Sequence, residues 1–263
     1  MNALAAKRRH PATLAVVLFL GLLVTGGVYT LFAPKTAGAT AVAAETVDAG
    51  HKLFLANCAT CHGVNAQGTK DGPSLIGVGA AGVDFQVSSG RMPMLSPNVQ
   101  APRTEPIKYS EEEVAAMAGY VASLAPGPAI PGEKYTNGSI GDAAKGGEIY
   151  RVNCAMCHNY AGSGGALTRG KYAPSLTASD VTGQRIYEAM LTGPQSMPVF
   201  NDMNVSPQEK ADVIAFIDHL QTQPSEGGMN LGNMGPVPEG LFVWIFGLGS
   251  LILCAVWLGQ KAA

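Results

Sequence analysis

Hydrophobic and polar positions alternate along this chain in a pattern that repeats. Two stretches are uniformly apolar, Ala12 to Phe32 and Gly240 to Gly259, and flank everything else. Between them the apolar positions have a helical period. Met117, Tyr120, Val121 and Leu124 fall on one helix face, and Val213, Phe216, Ile217 and Leu220 repeat the same spacing. Each set follows a capping box, Ser110-Glu111-Glu112-Glu113 or Ser206-Pro207-Gln208-Glu209. There the serine hydroxyl and the glutamate carboxylate each accept a backbone N–H that the helix start leaves open. Pro207 is also a favoured first helical residue. Upstream, Thr46 to Leu55 predicts a short helix with Asp48 near its positive end. Its Gly50 and Phe54 return at the same offsets as Gly146 and Tyr150. A glycine there lets the last helix of each half cross the first closely, with aromatic rings packed at the crossing. The reading is an all-α internal repeat with domains over 46–126 and 142–223.

The segments 33–45, 127–141 and 224–238 are rich in proline, glycine and small polar residues, and read as two linkers and a connector. Both apolar runs reach the roughly 20 residues that a helix needs to cross a bilayer. The first, 12–32, follows Lys7, Arg8 and Arg9 and predicts a retained transmembrane helix after a cytoplasmic N-terminus, 1–11. The alternative is a removed secretory signal, with cleavage-like small residues from Ala37 to Ala44. The second run, taken as a span over 239–259, has Trp244 and Trp257 near its ends as interfacial anchors and a short cytoplasmic tail, 260–263, containing Lys261. Two spans make a multi-pass protein of the plasma membrane with both domains on the extracytoplasmic side. A net charge of −2 gives no reason to expect nucleic acid as a partner. With 33 glycines, 17 prolines and only 14% charged residues, the composition suits loop-rich domains on apolar anchors.

The chemistry lies in a doubled motif. Cys58-Ala59-Thr60-Cys61-His62 returns as Cys154-Ala155-Met156-Cys157-His158. Two thiols three positions apart, followed at once by histidine, form the attachment sequence for c-type haem. Each thiol adds to one porphyrin vinyl group and the histidine reaches the iron. A thioredoxin-like pair would leave the histidine unexplained, and structural zinc would need the two distant pairs brought together. Two covalently bound haem c groups are expected, through Cys58 and Cys61 and through Cys154 and Cys157. Cys254 stands apart in the second apolar run as a small packing or lipid-facing residue.

The first axial ligands are then His62 and His158. For the sixth position each half offers a methionine before proline: Met92 in Gly90-Arg91-Met92-Pro93, and Met197 in Gly193-Pro194-Gln195-Ser196-Met197-Pro198. The proline keeps the preceding residue extended, so the thioether is presented from a loop. Met94 rivals Met92, which is preferred because Met-Pro recurs. Met117, Met190 and Met203 read as packing residues, and His51 and His219 lie on predicted helices away from the methionine loops. Pro73 and Pro174, each followed by Ser-Leu, offer carbonyls that can accept the Nδ1–H of the haem histidine and fix its ring. Histidine–methionine ligation of a buried macrocycle raises the reduction potential. That predicts an electron relay with no catalytic residue of its own.

Each repeat resembles a class I cytochrome c in its helix, Cys-x-x-Cys-His, Pro-Ser-Leu, methionine loop and capped last helix. The whole chain, with Gly-Arg-Met-Pro, Thr-Gly-Pro-Gln-Ser-Met-Pro-Val-Phe and both apolar runs, resembles the dihaem cytochrome cc subunit of the actinobacterial menaquinol–cytochrome c reductase, the cytochrome bcc complex. The resemblance implies menaquinol as electron donor of a proton-translocating complex. It also implies a Rieske iron–sulfur subunit and a cytochrome b subunit as partners, and a supercomplex with the copper-bearing subunit of a cytochrome c oxidase. Competing readings are an independent anchored cytochrome serving another reductase or oxidase, and a dihaem peroxidase. A peroxidase needs an open sixth site, against which the paired methionines argue. The short connector predicts that the second haem, with His158 and Met197, is reduced first. The first domain, between linkers 33–45 and 127–141, is expected to reach outward.

Overall fold

The computed structural model describes residues 11–32, 44–96, 98–222 and 231–261. The basic cluster at 7–9, the small residues of 37–43 and most of the first linker lie outside the described residues. Helix α1, Pro11–Phe32, belongs to a unit separate from the rest of the chain. It carries no charge, and the Thr25 hydroxyl donates back to the Gly21 carbonyl at 2.8 Å, which hides its polarity within the helix.

The second unit starts with α2 (Ala44–Asn57), the single turn α3 (Ala59–His62), α4 (Gly79–Ser88) and α5 (Glu111–Leu124). α2 crosses α5 at Gly50, where a Cβ would fall on the Ala116 carbonyl oxygen. One turn along, the rings of Phe54 and Tyr120 pack at 5.2 Å. Phe54, Val83, Val87, Met117 and Val121 are the buried core of this half. The capping box at α5 is formed, with the Ser110 N–H donating to Glu113 at 2.9 Å and the Glu113 N–H donating to the Ser110 hydroxyl at 3.3 Å.

The other half repeats this frame. It contains α6 (Glu133–Thr136), α7 (Ala143–Asn153), α8 (Ala155–His158), α9 (Gly183–Thr192) and α10 (Pro207–Thr222). Gly146 meets the Asp212 carbonyl at the α7–α10 crossing, and Tyr150 packs on Phe216 at 5.1 Å. The core is Tyr150, Ile186, Met190, Val213, Ile214 and Ile217. Ser206 and Glu209 form the second capping box, at 2.7 and 3.3 Å. An antiparallel pair of two-residue strands, β1 (Gly165–Ala166) and β2 (Tyr172–Ala173), occurs after the motif of this half.

Three features depart from the sequence expectation. Helices α4 and α9 stand outside the elements expected from the sequence; α4 is buried on several sides, so its residues are small or apolar nearly all round, whereas α9 is amphipathic, with Ile186, Tyr187 and Met190 buried. Segment 127–141 is packed, not a free linker. The Ala81 N–H donates to the Pro128 carbonyl at 3.1 Å, and the Gln208 side chain holds the Ile140 carbonyl at 3.0 Å. Glycine allows the close approach: Gly79 at the start of α4 sits at φ +75°, with Gly127 and Pro128 where a side chain would stand. Finally, α11, Pro236–Lys261, begins inside the expected connector. Its prolines lie in the first turn, where a missing N–H costs nothing.

At 26 residues and a mean hydropathy of 2.4 over its most apolar window, α11 is long and apolar enough to cross a membrane. The Lys261 ammonium stands 4.6 Å from the Trp257 ring at its end. The crossings make a direct prediction: Gly146→Ala should destabilise the second half by roughly 2 kcal/mol or more, because the methyl group meets backbone that cannot rotate away. An unfolding midpoint equal to that of the parent protein would show that the helices can spread freely.

Candidate haem-binding sites

Each motif emerges at the end of the first helix of its half and continues for one turn. The Cys58 N–H donates to the Phe54 carbonyl at 2.8 Å and the His62 N–H to the Cys58 carbonyl at 2.9 Å; the bonds at Cys154 and His158 have the same lengths. Helical spacing of one turn brings the second thiol and the histidine round to the side of the first thiol. The imidazoles are held in turn. His62 Nδ1 lies 2.7 Å from the Pro73 carbonyl and His158 Nδ1 lies 3.0 Å from that of Pro174. A carbonyl only accepts, so Nδ1 carries the proton and Nε2 keeps a lone pair for a metal. Gly72 lets the proline loop come this close, since a Cβ there would stand 2.8 Å from the Cys61 carbonyl and 3.1 Å from His62 Nδ1.

Electrostatics suit this chemistry. Burial pulls the His158 pKa down against the opposing bond to Pro174, so the imidazole is neutral and able to ligate. Burial, with Cys157 beside it, pushes the Cys154 thiol up to about 11, and burial also raises Cys58. Neither resembles the acidic thiol of a redox pair. Among the described residues, no three His, Cys, Asp or Glu side chains gather as a metal cluster.

A cavity of about 660 Å³ opens in the second half, bordered by Cys154, Cys157 and His158, by Met197, and by apolar Ile186, Met190 and Ile217. Thiols, an oriented imidazole and a thioether around one apolar space fit a covalent haem c. The Met197 loop is fixed by its N–H to the Pro194 carbonyl at 3.0 Å and by the Phe200 N–H to Met190 at 2.7 Å. In the first half Met92, like Cys58 and Leu75, packs against the core, and its N–H donates to the Gln86 carbonyl at 2.9 Å; Met94 is not part of that packing. Met117 and Met190 are core residues, and Met203 is exposed. His51 stacks on Tyr120 at 4.7 Å and His219 is exposed on α10.

Known proteins point the same way. Residues 47–125 match the family described as cytochrome c, and 141–217 match cytochrome c oxidase, cbb3-type, subunit III. A Corynebacterium diphtheriae protein named cytochrome bc1 complex cytochrome c subunit is 44% identical over 97% of this chain and 96% of its own length. The protein of that name from Mycobacterium tuberculosis is 42% identical over 94% of this chain and 90% of its own. The chain belongs to the family of cytochrome bc1 complex cytochrome c subunits. A more distant relative, the cbb3-type cytochrome c oxidase subunit CcoP of Rubrivivax gelatinosus, is 30% identical over 52% of this chain and 41% of its own.

In this cytochrome c subunit the two domains also touch, through residues that the sequence did not single out. α4 packs on α9. The Gln184 amide donates to Asp84 and to Glu188, each at 3.1 Å. Arg185 donates to the Ser88 carbonyl at 2.9 Å and the Asp180 carbonyl at 2.7 Å. Gln100 pairs with the Tyr172 backbone through two bonds of 2.9 Å. The partners that join the two domains, Gln184 with Asp84, Arg185 with Ser88 and Gln100 with Tyr172, are far apart in sequence, so no local signal marks them.

Glu188 is wholly buried at this contact. Burial, and then the charge of Asp84, hold its pKa well above the ordinary carboxylate value of 4.5. The folded protein therefore keeps a proton that the unfolded chain releases, and stability falls as pH rises from 4.5 towards the raised value. Glu188→Gln should flatten that decline when thermal unfolding is followed across neutral and mildly alkaline pH. A variant with the parent's slope would remove Glu188 as the cause.

Proposed function

We propose that this protein is the electron-transfer subunit of a menaquinol–cytochrome c reductase, receiving electrons from a Rieske iron–sulfur subunit and passing them to the copper-bearing subunit of a cytochrome c oxidase in a respiratory supercomplex. A cytochrome b subunit is the third partner. The observation that carries the reading is the duplicated site, with a proline-oriented histidine in each half and a methionine loop in each half, in a chain of this family. Bound haem c supplies reversible one-electron chemistry at each site. Cys58, Cys61, Cys154 and Cys157 would tether the two groups, and His62 and His158 together with Met92 and Met197 would ligate them. Pro73 and Pro174 hold the imidazoles, and the apolar walls keep water away, which favours a high potential.

Both α1 and α11 are read as membrane spans, with the two haem domains outside the plasma membrane and both termini inside. The second site remains the proposed first acceptor because its domain leads directly to α11. The first domain does not swing outward, since segment 127–141 is packed against both halves.

Three measurements test this. A pyridine haemochrome assay should give two c-type haems per chain, and Cys154→Ser should impair capture in the second domain alone. The sulfur-to-iron charge-transfer band of the oxidised protein should weaken in Met197→His and vanish when Met92 is replaced as well. Its survival in that double variant would move the first ligand to Met94. Extraction in mild detergent should bring down cytochrome b, Rieske and oxidase subunits. Recovery of the haem-loaded chain without any of them would favour an independent anchored cytochrome.

A further inference from the structure

We propose that Arg91 and Arg103 of the first domain bind the propionate groups of the haem held by the second domain. The inference rests on the reading that the second cavity takes haem c, and it makes that pocket incomplete without the neighbouring domain.

Phe85, Ser89, Arg91, Gln100 and Arg103 all belong to the first domain, yet all border the second domain's cavity. Their segment bridges the two ligand loops of that site. Gln100 is bonded to Tyr172, two residues before Pro174 on the histidine side. The Ala101 N–H reaches Gln195, two residues before Met197, at 3.4 Å. A strand of chain tied to both loops closes an edge of the space between them. The thioether edge is fixed elsewhere, by Cys154 and Cys157 at the end of α7. Haem c carries its two carboxylates on the edge remote from its thioethers.

Among the residues bordering the cavity, Arg91, Arg103 and Arg185 are accompanied by one carboxylate, that of Asp180. Arg185 donates to the carbonyls of Ser88 and Asp180, and its guanidinium lies 4.0 Å from the Asp180 carboxylate. Arg103 contacts Asp180 and, at 2.9 Å, the exposed Glu105, while its buried Nε has no hydrogen-bond partner. Arg91 makes no ion pair among the described residues and rests over the Phe85 ring at 5.0 Å. Beyond them, the Asp84 carboxylate and the protonated Glu188 are joined through Gln184. Several guanidinium groups gathered beside an apolar cavity call for an anion, and arginine is the side chain suited to binding a carboxylate through two bonds. The two haem propionates supply that charge. Arg91 directly precedes Met92, so one stretch of backbone presents the first iron's candidate ligand and reaches the second haem's edge.

Positive charge close to a haem favours its reduced form, so losing it lowers the potential. The test is a potentiometric titration of the full-length, haem-loaded protein in detergent, with the two waves assigned by Met92→His and Met197→His. Arg91→Gln and Arg103→Gln should each shift the second haem's wave downward. Arg91→Lys and Arg103→Lys should restore most of the shift. A second wave unmoved by both glutamine variants overturns the proposal. So does a lysine variant that falls as far as its glutamine counterpart, because docking and not charge would then be the cause. Haem counting separates the two levels. Fewer than two haems per parent chain defeats the reading beneath, whereas two haems with an unmoved wave defeat this inference alone.

Discussion

The close crossing of the first and last helices in each half determines where the haem motif emerges. Gly50 and Gly146 bring one helix against the backbone of the other, and the rings one turn later fill the space beyond. With that contact fixed, Cys58 and Cys154 leave their helices at a set height and direction. Their thiols and the following imidazole then face the space that the core leaves open. A small domain has little apolar surface to bury by itself, so a large flat cofactor serves well as the missing part of its core.

Orientation of the histidines completes the site. The Pro73 and Pro174 carbonyls choose the tautomer, and the choice does not depend on solvent because a carbonyl cannot donate. The methionine loops are anchored differently in the two halves, to Gln86 near the end of α4 and to Met190 in α9. These same two helices form the contact between domains. The helices that anchor the Met92 and Met197 loops therefore also dock one domain on the other, and movement at the interface would be felt at both sites.

That docking changes the picture of how such a subunit works. With segment 127–141 packed and Gln100, Gln184 and Arg185 bridging the halves, the tandem domains form a fixed pair. Helix α4 contributes Val83 and Val87 to the first core and Phe85 to the wall of the second cavity.

Much of this protein was legible in its sequence because the deciding signals are local. Cys-x-x-Cys-His, the two capping boxes, the paired apolar faces and the proline after each motif act over a few residues, and the repeat supplied each one twice. Helix α4 was not legible, since burial on several sides erases the period that marks a half-exposed helix; α9 does carry an amphipathic period, with Ile186, Tyr187 and Met190 buried, and that signal was there to be read. The interface was not legible. Asp84, Gln184 and Glu188, or Gln100 and Tyr172, become neighbours only when two finished domains meet, and isolated polar residues in a sequence carry no mark of their partner. Residues 127–141 illustrate the difference most clearly. Glycine and proline announce that the backbone turns there, but whether the turn hangs free or lies against another chain segment depends on the surface opposite, which only the tertiary structure supplies.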